Sequence, residues 1–229
     1  MTVMGRSLAV LLVSGALLIG SAAHSTPSPA EFPRGKDKGK VGAARALTSK
    51  YADCLVEKSR SFVERYLATN SGSSASMQLG RRLANADCVK GDGALQMPEP
   101  VFRGALYNAL YRKDFGLYGA VDFKDVSSLA TALPEKERGN EDVRAAFALQ
   151  SFAECVVRGN PSAARELAVA DIASAPESEA FAKLKPGFVA CVTKDYTVAF
   201  SRTVLRGALV EMLYKLSKSK PGSLQPVGA

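Results

Sequence analysis

The side chains able to do chemistry in this chain are few, and most of them occur twice. Four cysteines stand at Cys54, Cys88, Cys155 and Cys191, and the single histidine is His24. His24 stands beside the small residues of an export cleavage site and the rest of the chain holds no histidine, so Ser-His-Asp and Cys-His hydrolysis in the body of the protein are excluded. No two cysteines have the short C-x₂₋₄-C spacing of a zinc site, and His24 alone is only a partial copper ligand set, so no metal is expected. Neither C-x-x-C nor G-x-G-x-x-G occurs, and no cofactor is expected. The one S-x-x-K pattern, Ser217 to Lys220, opens a stretch that reads as a disordered tail. Asp and Glu are plentiful, but no carboxylate pair stands out. An enzyme is not the expected reading.

The cysteines belong to a duplication. FRGALYNALY (Phe102 to Tyr111) returns as LRGALVEMLY (Leu205 to Tyr214) with six of ten residues identical, and YADCLV around Cys54 returns as FAECVV around Cys155. In both halves fifteen residues separate the second cysteine from the arginine of the decapeptide. An even number of cysteines at such spacings reads as disulfides, and four allow three connectivities. Pairing inside each unit, Cys54–Cys88 and Cys155–Cys191, is the preferred one: it closes two loops of about 35 residues, each worth roughly 3–4 kcal/mol on the loop-entropy model.

Gly104 and Gly207 sit in the repeated decapeptide, inside predicted helices, where Gly costs roughly 0.5–1 kcal/mol relative to Ala. A cost incurred twice predicts that another backbone or side chain passes close by. Arg103 and Arg206 precede these glycines, and an acid precedes the first cysteine of each unit, Asp53 and Glu154. The expected ion pairs are Asp53–Arg103 and Glu154–Arg206, tying the first helix of each unit to its last. The competing reading makes the two arginines an anion-binding pair.

The elements that must position these residues are helical almost throughout. Phe102, Ala105, Leu106, Ala109 and Leu110 recur on one face of a helix, and Leu205, Ala208, Leu209, Met212 and Leu213 repeat that face. Helices are predicted for 43–58 and 142–158, followed by short ones at 61–69 and 162–170. A third segment leads to the second cysteine of each unit, and Pro186-Gly187 is expected to interrupt it in the second. The fold class is all-α, a tandem duplication of a small disulfide-stapled helical unit with pseudo-twofold symmetry. Units 43–114 and 142–218 flank an irregular connector, 115–141.

Residues 1–23 read as an export signal, with Arg6 before an apolar run and small residues at a cleavage site near Ala23. Segments 24–42 and 219–229 read as disordered tails. The net charge of +8 sits in the ends: residues 46–214 hold 21 basic and 20 acidic residues. Nucleic acid is therefore not an expected partner. The duplicated acid-Cys, second-Cys and RGAL-x-x-x-LY pattern resembles small exported alphaproteobacterial proteins, which implies compartment and architecture and transfers no site. The expectation is a periplasmic or secreted, non-catalytic interaction or structural module of the cell envelope, with an envelope protein as partner. The alternative is a carrier that binds a small anionic ligand in the cleft between the units.

Overall fold

The computed structural model describes residues 38–83, 88, 97–129, 133, 135–192 and 201–221. The expected export signal, His24 with most of the first tail, and residues 222–229 lie outside them. The described residues form seven α-helices and no strand: α1 (Lys38–Leu67), α2 (Ser74–Leu83), α3 (Glu99–Asp114), α4 (Glu141–Gly159), α5 (Pro161–Val169), α6 (Ala175–Cys191) and α7 (Arg202–Ser219). The class is all-α.

The break expected after each first cysteine falls at matched residues. Asn160 leaves helical geometry (φ −149°, ψ 73°), and its side chain caps α5 by accepting from the Ala163 N–H at 3.1 Å. Pro161 follows at the first helical position, so α4 and α5 are separate helices. The corresponding residue of the first half is Ser59 (φ −140°, ψ 36°). Arg60 stands where the proline would be, so the chain kinks and continues as one 30-residue helix. Helix α1 also begins earlier than its sequence predicts, taking in Lys38 to Gly42 from the segment that reads as a tail. Its added turns have a surface to land on: a Cβ on Gly42 would lie 3.2 Å from that of Ala173. Arg45, one turn later, pairs with Glu177.

Pro186 does not interrupt α6, which runs unbroken to Cys191. One N–H bond is lost, and neighbours offset it. Asn160 donates to the Lys183 carbonyl at 3.4 Å, Phe188 packs against Phe152 at 6.2 Å, and Cys191 is tied to α4. Helix α7 absorbs residues expected in the second tail. Ser217 is fully buried on it, while Lys220 reaches out to the Asp122 carbonyl at 2.7 Å, so the S-x-x-K pattern makes no site.

The connector is irregular apart from two 3₁₀ turns, Gly116–Tyr118 and Glu135–Glu137. A single core spans both halves. Leu55, Leu106 and Leu110 belong to the same buried cluster as Leu167, Leu184, Leu209 and Leu213, with α3 against α7 through its centre. Each such leucine contributes about 1.5–3 kcal/mol by burial.

Candidate functional site

The duplicated residues supply the frame of the site. Cys54 is bonded to Cys88 and Cys155 to Cys191, with Cα–Cα separations of 5.8 and 5.9 Å. Gly104 and Gly207 face each other where α3 crosses α7, and a Cβ on Gly207 would stand 2.8 Å from the Gly104 Cα. What passes close to each glycine is the other one.

The two arginines take positions different from those expected. Arg103 donates from Nη2 to the carbonyls of Leu67 and Thr69 (2.8 Å to the latter). Arg206 donates from Nη2 to the carbonyl of Ala170 at 2.8 Å and lies 3.5 Å from that of Ala168. Each therefore caps the C-terminus of the helix two elements back, where carbonyls have no intrahelical partner. The expected pairs Asp53–Arg103 and Glu154–Arg206 do not form. Helices α1 and α3 run antiparallel, so the start of α3 meets the end of α1, and Asp53, in the middle of α1, meets Arg112 instead (2.6 Å). Glu154 is bound by Arg158 at 2.8 Å, one turn along α4, and by the Leu129 N–H at 3.0 Å. Arg158 continues to the Phe123 and Ser127 carbonyls at 2.8 and 2.9 Å, so this pair anchors the connector.

Arg103, only 2 % exposed, forms the wall of a cleft of about 370 Å³ between the halves. Helices α2 and α3 give one side, α4 and α7 the other. Met77, Pro100, Leu149, Val204 and Ala208 make it apolar, and Glu99, Gln150 and Glu211 gather beside Arg103. Glu99 accepts from the hydroxyls of Ser71 and Ser76 at 2.7 and 2.8 Å. Glu211 accepts from Gln150 at 2.9 Å and from Lys215 at 2.6 Å. Both carboxylates lie 3.8 Å from the guanidinium. Burial works against the charge of Arg103, but Glu211, Tyr107 and Glu99 outweigh it and raise its pKa above the ordinary arginine value. Its Nε has no hydrogen-bond partner. The cleft offers hydrogen bonds and charge, but no histidine or thiol.

Sequence reasoning missed Glu99, Glu211, Arg45 and Glu177. Glu177 had a readable signal: Ser174 precedes it by three residues as a helix cap, and its N–H donates to the Ser174 hydroxyl at 3.2 Å. The others carry no signature until the two halves are superposed residue by residue. No protein-family model, curated protein or solved structure matches the chain.

Proposed function

We propose that this chain is an exported, non-catalytic binding protein that carries a small ligand in the cleft between its two helical units. The observation that carries the reading is the cleft itself. Its volume of about 370 Å³ is in the range of small-molecule sites, and apolar walls with a few convergent polar groups are their usual lining. Two disulfides support an oxidising compartment, and no described helix is long and apolar enough to cross a membrane. The matched breaks at Ser59 and Asn160 support a pseudo-twofold relation of the halves. An anionic ligand is less well supported than the arginine suggested, because the terminal nitrogens of Arg103 are committed to carbonyls and carboxylates stand around it.

A second reading, docking to an envelope protein, is favoured by Leu117, Tyr118 and Val121, three apolar residues of the connector that are 67, 83 and 43 % exposed. Native mass spectrometry of the protein taken from its own cell envelope separates the two. The carrier reading expects a small-molecule increment that disappears in Ala145→Trp, a substitution at an exposed position on the rim of the cleft. A bare chain, or an increment indifferent to that substitution, would sink it. A bound protein released by Tyr118→Ser would establish the docking reading.

A further inference from the structure

We infer that the ligand of this cleft is an organic cation, a guanidinium or primary ammonium group on a flexible apolar stem. The inference rests on the binding reading above and adds the chemistry of the head group.

The duplication built the site twice. Positions up to the end of α2 match those of α4 to α6 at the offset of Cys54 to Cys155, and α3 matches α7 at the offset of Arg103 to Arg206. A second cavity, of only about 30 Å³, is lined by Arg45, Thr48, Ser49, Ala105, Asn108 and Arg206. Their counterparts, in the same order, are Ala146, Leu149, Gln150, Ala208, Glu211 and Arg103, all of which line the open cleft. One copy is closed and the other open. The largest exchange between them is Arg45 for Ala146: a long cationic side chain fills the closed copy, and a methyl group leaves the open one empty.

Arg45 shows what the frame accepts there. Its Nη1 donates to Glu177 Oε2 at 3.0 Å and its Nη2 pairs with Oε1, while Arg206 donates to the same carboxylate at 2.7 Å. Two guanidiniums thus share one fully buried acid. In the open copy Ser76 stands at the position of Glu177, and the acid comes from α3 instead. Glu99 accepts from Ser76 at 2.8 Å and lies 3.8 Å from Arg103, a looser pair than the 2.7 Å hydrogen bond from Arg206 to Glu177. Glu99 has its first guanidinium neighbour and lacks the second.

Charge agrees with this. Glu99, Asp142 and Glu211 line the open cleft against Arg103 alone. Lys215 reaches one of the three acids. In the closed copy Arg45 and Arg206 face Glu177, and Asn108 occupies the place of Glu211. The unpartnered Nε of Arg103 is matched by an unpartnered Nε on Arg206, so it belongs to the shared frame and assigns no charge to the ligand. Met77, Pro100, Leu149, Val204 and Ala208 give the cleft the apolar walls that such a stem would pack against.

The test is calorimetric titration of the full-length, oxidised chain with hexylguanidinium, hexylammonium and hexanoate. Both cations should bind at one site, with hexanoate weaker by about tenfold or more, the effect of one charge-assisted hydrogen bond. Ala146→Arg, which rebuilds the closed copy, should abolish cation binding, and Arg45→Ala should raise the stoichiometry from one to two. Because Arg45→Ala strips a partner from a buried carboxylate, the deciding variant is Glu99→Gln, isosteric at a partly exposed group, with an expected loss of about tenfold or more. Hexanoate binding as tightly as the cations, and blocked by Ala145→Trp, would overturn the head-group assignment and leave the cleft as a binding site. Cation binding that survives both Ala146→Arg and Ala145→Trp would overturn the site. Absence of binding by either cation would overturn the inference.

Discussion

At Gly104 and Gly207 the two copies of the decapeptide meet backbone to backbone. A methyl group at Gly207 must push the helices apart, so Gly207→Ala should cost about 1–3 kcal/mol, read as a lower urea midpoint with an unchanged slope. An unshifted midpoint would mean that the crossing yields without resistance. Glu177 gives a prediction in pH. Burial raises its pKa, but Arg45 and Arg206 together hold it below the ordinary carboxylate value. The unfolded chain, titrating near about 4.3, then takes up the proton first as the solution is acidified. The stabilisation by Glu177 is therefore complete above that value and is lost as pH falls through the depressed one. Wild type should exceed Glu177→Gln in stability at neutral pH, and the gap should narrow in acid. A gap independent of pH would show that the carboxylate acts only by its shape. The glycines were legible because a helix-breaking residue written twice demands a reason. Asp53 was misread because residue spacing along one chain does not say which way two helices run past each other.

At the scale of the element, each disulfide staples the second cysteine of a unit to the helix bearing the first, across 34 and 36 residues. Replacing Cys54 and Cys88 by Ala should cost about 3–4 kcal/mol, measured by denaturation against the oxidised parent. A loss of under about 1 kcal/mol would assign their ordering to packing alone. Lys220 and Arg165 hold the first part of the connector at the Asp122 and Gly119 carbonyls, and Arg158 holds the part that follows, at the Phe123 and Ser127 carbonyls and through Glu154. Arg158→Ala should expose residues 123–129 to limited proteolysis while leaving the helices intact, and an unchanged cleavage pattern would refute that role. Periodicity revealed these helices, and Asn160-Pro161, carried over to the first half by the repeat, revealed the breaks after the cysteines. Periodicity did not reveal the first turns of α1, because Lys38 to Gly42 is largely polar and glycine-bearing and meets Ala173, far along the chain, at Gly42, with Arg45 pairing with Glu177 one turn later.

For the whole molecule, the unit of folding is both halves together. The start of α1 lies on the turn at Ala173 (φ 61°), and the start of α4 lies on the matching turn at Gly72 (φ 80°), where a Cβ would meet the Asp142 backbone at 2.8 Å. With the core continuous across α3 and α7, residues 141–221 expressed alone should show no cooperative unfolding, whereas the full chain should unfold in one transition. Two resolved transitions in the full chain would restore the picture of independent repeats. Each half was visible in the sequence as a repeat. Their mutual dependence was not, because a repeat shows what is copied and not what the copies lack.

The crossing at the two glycines also has a consequence for synthesis. The chain is made from its N-terminus, so α3 is complete while the helix meant to cover it is still 103 residues away. Until then the RGAL face is an adhesive surface, and the partner sequence it is shaped for is nearly its own. A neighbouring half-made chain offers that same surface, so two unfinished molecules can clasp α3 to α3 before either has an α7. The rate at which the second half follows the first into the compartment where the chain folds thus sets the balance between monomer and α3-clasped dimer, and slowing delivery of the second copy should shift it towards the dimer.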